Sequence, residues 1–315
     1  DEMMKMSTAI AAKTLFGADV EQEAPEIVHA LITAASLFGR VSVPFSEMLL
    51  HLPLPGTIRF KKAKALLENT VCRMINERRK NKTENGDLLS LLLRSQDEES
   101  ENGRMSDKEV QDEALTVFLT AFDTTSTALN WTWYLLSQNP EAEAELHKEL
   151  DSVLQGRIPT AADVPRLPFT RMVFAESLRL YPPSYIIPRQ ALKEFTIDQY
   201  VIPGGTIMLM SPYLIHRDSR FHSNPEKFNP WSWENHSHNQ NPKYAFFPFG
   251  GGPRSCIGEP FAWMEGSLVL ATIAQLWQLQ IVPNHPVKFL QLINLRPKHG
   301  MKMILHQRNN PGLLS

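Results

Sequence analysis

The stretch best suited to chemistry is residues 247–258, FPFGGGPRSCIG, which puts one cysteine in an unusual setting. Three consecutive glycines and Pro253 cannot continue a helix or a regular strand, so the chain must turn tightly here. Cys256 closes that turn, two residues after the Arg254 cation. Gly258 then opens the apolar run PFAWMEGSLVLATIAQLW, which reads as a buried helix. A cation and a helix N-terminus both favour negative charge on a ligand atom placed there. The glycines let a large flat group approach the backbone, and a haem iron ligand is the chemistry that fits. The plainer alternative is a turn around a buried, inert cysteine.

A second group is Thr116, Thr120, Asp123, Thr124 and Thr127. Ser106-Asp107-Lys108-Glu109 has the pattern of a capping box, and a helical pattern then runs without Gly or Pro to Asn139-Pro140. Between Ala114 and Leu136 the one charged residue is Asp123. A membrane span is the rival reading of so apolar a run, but its hydroxyls and Asn130 are too many polar groups for lipid. The five residues recur at i+3/i+4, so they share a face. A buried helix with one hydroxyl-and-carboxylate stripe suggests a proton path beside a reaction centre. The plainer alternative is that these hydroxyls bond back to helix carbonyls.

The elements that would position these groups are mostly helical. With 315 residues and 43% hydrophobic content, the chain can bury a large core. Its 32 basic and 34 acidic residues leave a net charge of −2, which gives no reason to expect nucleic acid as a partner. Cys72 and Cys256 lie far apart and make no disulfide framework or zinc pattern, so a reducing, cytoplasmic setting is expected. Helical spacing is broken at Gly17, Pro25 and Gly39. Residues 41–56 read as a connector, and 57–80 as a basic amphipathic helix with a solvated cationic face and a structural Cys72. A docking patch for an acidic redox protein is the minority reading of that face. A short helix DLLSLLLRS, a surface loop QDEESENGR, an acidic helix EAEAELHKELDSVL and the helix TRMVFAESLRLYPP follow. Glu176 and Arg179 sit at i,i+3 on the last of these, which Pro182-Pro183 stops. Beyond them, SYIIPRQAL, EFTIDQYVIP and GTIMLMSPYLI are short strand-like runs, with Pro203-Gly204-Gly205 as a hairpin signal. The polar stretch WENHSHNQN reads as solvated loop, and LQLINLRPKHGMKMIL as a terminal hairpin.

Phe249-x-x-Gly252-x-Arg254-x-Cys256-x-Gly258 resembles the haem-binding signature of the cytochrome P-450 superfamily, the haem-thiolate monooxygenases. TAFDTT resembles its central A/G-G-x-D/E-T-T motif, with Asp123 and Thr124 as the acid–alcohol pair. Thr120 stands where a small residue is usual, and Ala121 where Gly usually lets the helix bulge. Glu176 and Arg179 match the family's E-x-x-R pair, buried behind the haem. The family's third partner is an Arg in F-x-P-x-R-F/W. Here Phe228-Asn229-Pro230-Trp231-Ser232-Trp233 fits except that Ser232 replaces that Arg. Arg179 is then left short of a partner, or another residue supplies the contact.

The resemblance implies a mainly α fold with a small β-sheet, the cytochrome P-450 fold. Residues 1–315 would form a single haem-binding domain matching the C-terminal two-thirds of such an enzyme. The chain begins at Asp1 in mid-helix pattern, so an N-terminal portion, with any membrane anchor, is expected to be lacking. The cofactor implied is haem b, with Cys256 as the axial iron ligand and Arg254 and Arg189 facing its propionates. Phe118, Thr120, Ile186 and Ile187 would face the substrate, and His216-Arg217-Asp218 would be mostly structural. The reaction implied inserts one atom of dioxygen into a small apolar organic substrate, with protons delivered past Asp123 and Thr124. Only 59 residues follow Cys256 (315 − 256), too few for a flavin or iron–sulfur module, so electrons would come from a separate ferredoxin or flavoprotein reductase. A peroxide-driven or isomerising haem-thiolate enzyme and an inert haem-binding remnant are the alternatives.

Overall fold

The structure, a computed structural model, describes residues 2–41, 52, 54–81, 86–95, 105–234 and 242–308. They group into two compact units, Asp1–Ser126 and Thr127–Ser315. Most of the expected connector at 41–56, the loop QDEESENGR and most of WENHSHNQN lie outside the described residues.

The first unit holds α1 (Glu2–Phe16), α2 (Ala24–Val41), α3 (Pro55–Asn81), α4 (Leu88–Arg94) and the first part of α5 (Asp107–Gln138). On α3 the buried positions Ala63, Leu67, Val71, Met74 and Arg78 follow helical spacing, so one stripe faces the core. Its other side carries the exposed Arg59, Lys61, Lys62 and Lys64. Arg78 departs from the expected solvated cationic face. It is buried and grips both carboxylate oxygens of Asp87 at 2.6 Å, with Nη2 also donating to the Phe16 carbonyl at 2.9 Å. Asp87 in turn caps α4, accepting the Ser90 amide at 3.0 Å. Beside the Arg78 guanidinium, the Asp87 carboxyl is pulled down to about 2. The start of α5 is the expected capping box: Ser106 N–H donates to Glu109 Oε2, and Glu109 N–H to Ser106 Oγ.

In the second unit α6 (Pro140–Leu154), α7 (Pro168–Leu180) and α8 (Glu259–Leu276) pack together. Helix α7 starts at Pro168 without a side-chain cap of its own. Glu149 on α6 supplies one, accepting the Phe169 and Thr170 amides at 2.6 and 2.9 Å. From Val173 to Leu180 every residue of α7 is buried. Gly266 lets α8 come close: a Cβ there would stand 2.4 Å from the Phe174 ring. The end of α5 is tied to the chain's last third by Trp131 Nε1, which donates to the Leu295 carbonyl at 2.7 Å.

The described strands form four two-stranded antiparallel pairs. Strand β1 (Ile187–Gln190) pairs with β4 (Ile207–Met210), and between them β2 (Phe195–Ile197) and β3 (Tyr200–Ile202) make a hairpin. The hairpin tip is at Asp198, in the left-handed region with φ 51°. Pro203-Gly204-Gly205 is therefore not a hairpin tip: it carries the chain from β3 to β4, which pairs elsewhere. Near the C-terminus β5 (Trp277–Ile281) pairs with β8 (Met303–Gln307), and β6 (Phe289–Gln291) with β7 (Leu295–Pro297). Among the described residues no helix is long and apolar enough to cross a membrane, α5 included.

Candidate active site

The cysteine loop is built by its own backbone. Phe247 O accepts the Gly250 amide at 3.0 Å, and Phe249 O accepts the Cys256 amide at 2.9 Å. Gly250 and Gly252 lie at φ 75° and 73°, where only glycine is unstrained. A short 3-10 turn, Gly252–Arg254, then delivers Cys256 just ahead of α8. Cys256 is exposed, as are Arg254 and Ile257, so the reading of a buried, inert thiol is set aside. Phe249 leans on Trp263 of α8, with ring centroids 5.8 Å apart.

His216 ties this loop to α7. Its Nε2 accepts the Phe247 amide at 2.9 Å, and its own carbonyl accepts Arg179 Nη1 at 2.8 Å. The ring is fully buried, which pushes its pKa down to about 3, with the neighbouring His222 adding to the shift. A neutral ring with Nε2 as acceptor carries its proton on Nδ1.

Behind the loop, Glu176 and Arg179 pair side-on while only 1% and 3% exposed. The guanidinium has five N–H groups, and all five have partners. Nε and one Nη2 hydrogen reach Glu176 at 2.8 Å each. The other three meet the carbonyls of His216, Pro225 and Lys227 at 2.8, 2.6 and 3.0 Å. The carboxylate is equally full. Oε1 also accepts the Asn229 amide and Oε2 the Trp233 indole N–H, both at 2.9 Å. Ser232, at the position expected to hold an arginine, donates instead to the Asn229 carbonyl at 2.8 Å. The pair is therefore not left incomplete: three carbonyls complete Arg179, and Trp233 supplies the contact to Glu176. Reasoning from sequence missed that role. The signal was present, since a buried carboxylate needs donors and Trp233 is a donor-only side chain in the right segment.

On α5 the stripe divides. Thr116, Thr120 and Thr124 run along one face that is exposed at the first two and half-buried at the third, whereas Asp123 and Thr127 are buried. Each of the first three hydroxyls bonds back along the helix, to the carbonyls of Asp112, Thr116 and Thr120 at 2.8, 2.8 and 2.9 Å. The hydrogens being spent, the oxygen lone pairs are what this face presents. The helix runs on through Ala121 as regular α-helix. Phe118, expected at the substrate, is fully buried between Phe16 and Phe122, at ring distances of 5.6 and 5.4 Å. It belongs to the core of the first unit.

Within the second unit Arg189 and Ile187 come to the cysteine loop. Arg189 donates to the Pro188 carbonyl at 2.8 Å and reaches the Arg254 carbonyl at 3.5 Å. A Cβ on Gly250 would touch Ile187 Cδ1 at 3.7 Å. Ile186 is exposed.

These residues fit a haem. Among the described residues no cluster of His, Cys, Asp or Glu could hold a bare metal ion. One exposed thiol alone suits an iron that brings four ligands of its own. A Cβ at Gly258 would lie 3.7 Å from Cys256 Sγ, so glycine there keeps the thiol uncovered. Arg189 reaching Arg254, with Ile187 against Gly250, puts cations and an apolar contact beside the thiol, as a flat amphiphile with acidic edges requires.

Comparison with known proteins agrees. The family model described as Cytochrome P-450 matches residues 1–303. Cyclooctatin synthase of Streptomyces melanosporofaciens is 37% identical over 289 residues, 91% of this chain and 63% of that protein. Cyclooctat-9-en-7-ol 5-monooxygenase of the same organism is 37% identical, over 90% of this chain and 62% of its own length. Pentalenene oxygenase of Streptomyces avermitilis is 34% identical over 313 residues, 99% of this chain and 69% of that protein. The chain thus spans less than two-thirds of the length of the first two relatives. The crystal structure of a cytochrome P-450DA haem domain superposes with a TM-score of 0.86 at 26% identity, covering 98% of this chain and 68% of that one.

Proposed function

The chain belongs to the cytochrome P-450 family, and on that premise we propose that it serves, as one haem-binding domain, a haem-thiolate monooxygenase. The reaction inserts one atom of dioxygen into an apolar organic substrate, using electrons from a separate donor of ferredoxin or flavoprotein type. The observation that carries this reading is the exposed Cys256, set on a self-bonded glycine loop ahead of α8. Haem b, when bound, supplies the redox chemistry, and a thiolate ligand favours cleavage of the O–O bond.

The chain's own residues have distinct tasks. Cys256 is the iron ligand, and Phe249 with Trp263 braces its loop. Arg189 and Arg254 hold the acidic edges of the haem. Glu176 and Arg179 keep α7 and the loop in register. On α5, Thr124 offers a hydroxyl oxygen already oriented by its bond to the Thr120 carbonyl. The buried Asp123, adjacent in the chain, would be the proton carrier, and the Thr124 oxygen would accept a hydrogen bond from the water that relays the proton. Ile187, against Gly250 of the cysteine loop, would face the substrate. The relatives' names carry an alkene and an unsaturated alcohol, and an apolar carbon skeleton of that kind is the substrate class proposed here.

The test is the reduced carbon-monoxide difference spectrum of the haem-loaded chain. A strongly red-shifted Soret band, absent in Cys256→Ala, is expected. An unshifted band in the wild type would refute thiolate ligation and leave an inert haem-binding remnant.

A further inference from the structure

We propose that Trp233 is a positioning residue for the cysteine loop, taking over through its indole N–H the place that an arginine at position 232 would fill. The assignment rests on the reading of Cys256 as the haem ligand. Three observations carry it. The first is saturation: with Arg179 Nε and Nη2, the Asn229 amide and Trp233 Nε1 in place, each oxygen of Glu176 accepts two donors. A carboxylate has about four lone-pair sites, so none remains for an arginine. The second is that Ser232 is directed to the Asn229 carbonyl. The third is a line of contact to the loop. The Trp233 ring meets Phe246 edge-on at 4.6 Å, and Phe246 packs on His216 at 5.0 Å. Phe247, next in the chain, donates its amide to the same His216. Glu176, Trp233, Phe246 and His216 thus hold the residue at which the loop begins.

Exchanging a guanidinium for an indole changes the electrostatics as well as the partner. One carboxylate now faces one cation, and the extra donor carries no charge. The clamp is neutral as a whole and needs no counter-ion.

Amide hydrogen exchange in the full chain, without haem, tests this with Trp233→Phe, Trp233→His and Ser232→Arg. Trp233→Phe keeps a ring beside Phe246 and removes the donor. Exchange at the Phe247 and Cys256 amides is expected to rise about ten- to a hundred-fold, with the β5–β8 pair unchanged. Trp233→His retains a ring N–H and is expected to restore most of the protection. Ser232→Arg is expected to leave the loop at the wild-type rate or faster, because the carboxylate is already full. Three outcomes overturn the assignment: loop amides at wild-type rates in Trp233→Phe, an equal rise in the β5–β8 pair, or slower loop exchange in Ser232→Arg. The last decides the matter even where Trp233→Phe does not fold. In the haem-loaded Trp233→Phe protein, a larger unshifted carbon-monoxide band is expected at each pH. Since exchange is read without haem, a wild type lacking the thiolate spectrum would count against the proposed function and not against this contact.

Discussion

Acid should loosen this protein through His216, whose buried ring resists protonation. The folded ring has a pKa of about 3, against an ordinary value of 6.5, because burial denies it a proton. Between those values the unfolded chain binds a proton there and the folded one does not. Its contribution to stability is therefore complete above pH 6.5 and falls as pH drops toward 3. The loss is about 1.4 kcal/mol per pH unit, or about 2 kcal/mol by pH 5. His147, lowered to about 4 by burial, and His222, lowered by burial, add to the slope in the same direction. Asp87 and Asp218, each lowered to about 2, lose their contributions only below the ordinary carboxylate range. Glu143, raised by burial, works in the opposite sense as pH falls, so the wild-type slope is a sum and the difference from a His216 variant isolates the ring. Urea unfolding followed by tryptophan fluorescence from about pH 6.5 to about pH 5 measures the slope. His216→Gln keeps an acceptor for the Phe247 amide and removes the titration. Its slope should be shallower than wild type by about one proton, or about 1.4 kcal/mol per pH unit. Equal slopes would show that the buried ring does not resist protonation, and the reasoning would fail.

Two further outcomes follow from the site and the core. Asp87→Ala removes both the α4 cap and the partner of the buried Arg78, so a loss of about 3–5 kcal/mol in urea unfolding is expected; a loss under 1 kcal/mol would mean that water reaches the guanidinium. Thr124→Val should cut product formed per electron consumed by about a hundred-fold or more, with the thiolate spectrum intact and Thr124→Ser near wild type. Equal coupling in all three chains would remove Thr124 from the proton path.

What was legible in the sequence was local. The turn before Cys256 depends on glycine and proline within ten residues, and the i,i+3 spacing of Glu176 and Arg179 is a property of one helix. The capping box at Ser106 and the arrest of α7 before its proline pair are equally short-range. What escaped was set by partners far along the chain. Trp233 meets Glu176 across 57 residues, and no spacing rule reports that. Arg78 looked like one more solvated cation in ERRK, and only its buried pairing with Asp87 shows it facing inward. Phe118 and Thr120 lie two residues apart on α5, and periodicity separates their faces without saying which one is packed over. That was decided by Phe16 on α1.

The three carbonyls gathered by Arg179 come from His216, Pro225 and Lys227, so a stretch with little regular structure is shaped around one cation. In calcium-binding loops, backbone oxygens converge in a similar way on an ion taken from solution. Here the ion is tethered to α7 and can be neither chelated nor diluted away. The order of this segment should therefore follow the helix that carries its cation: 216–227 would assemble when α7 forms and come apart when α7 unwinds, independent of any dissolved metal.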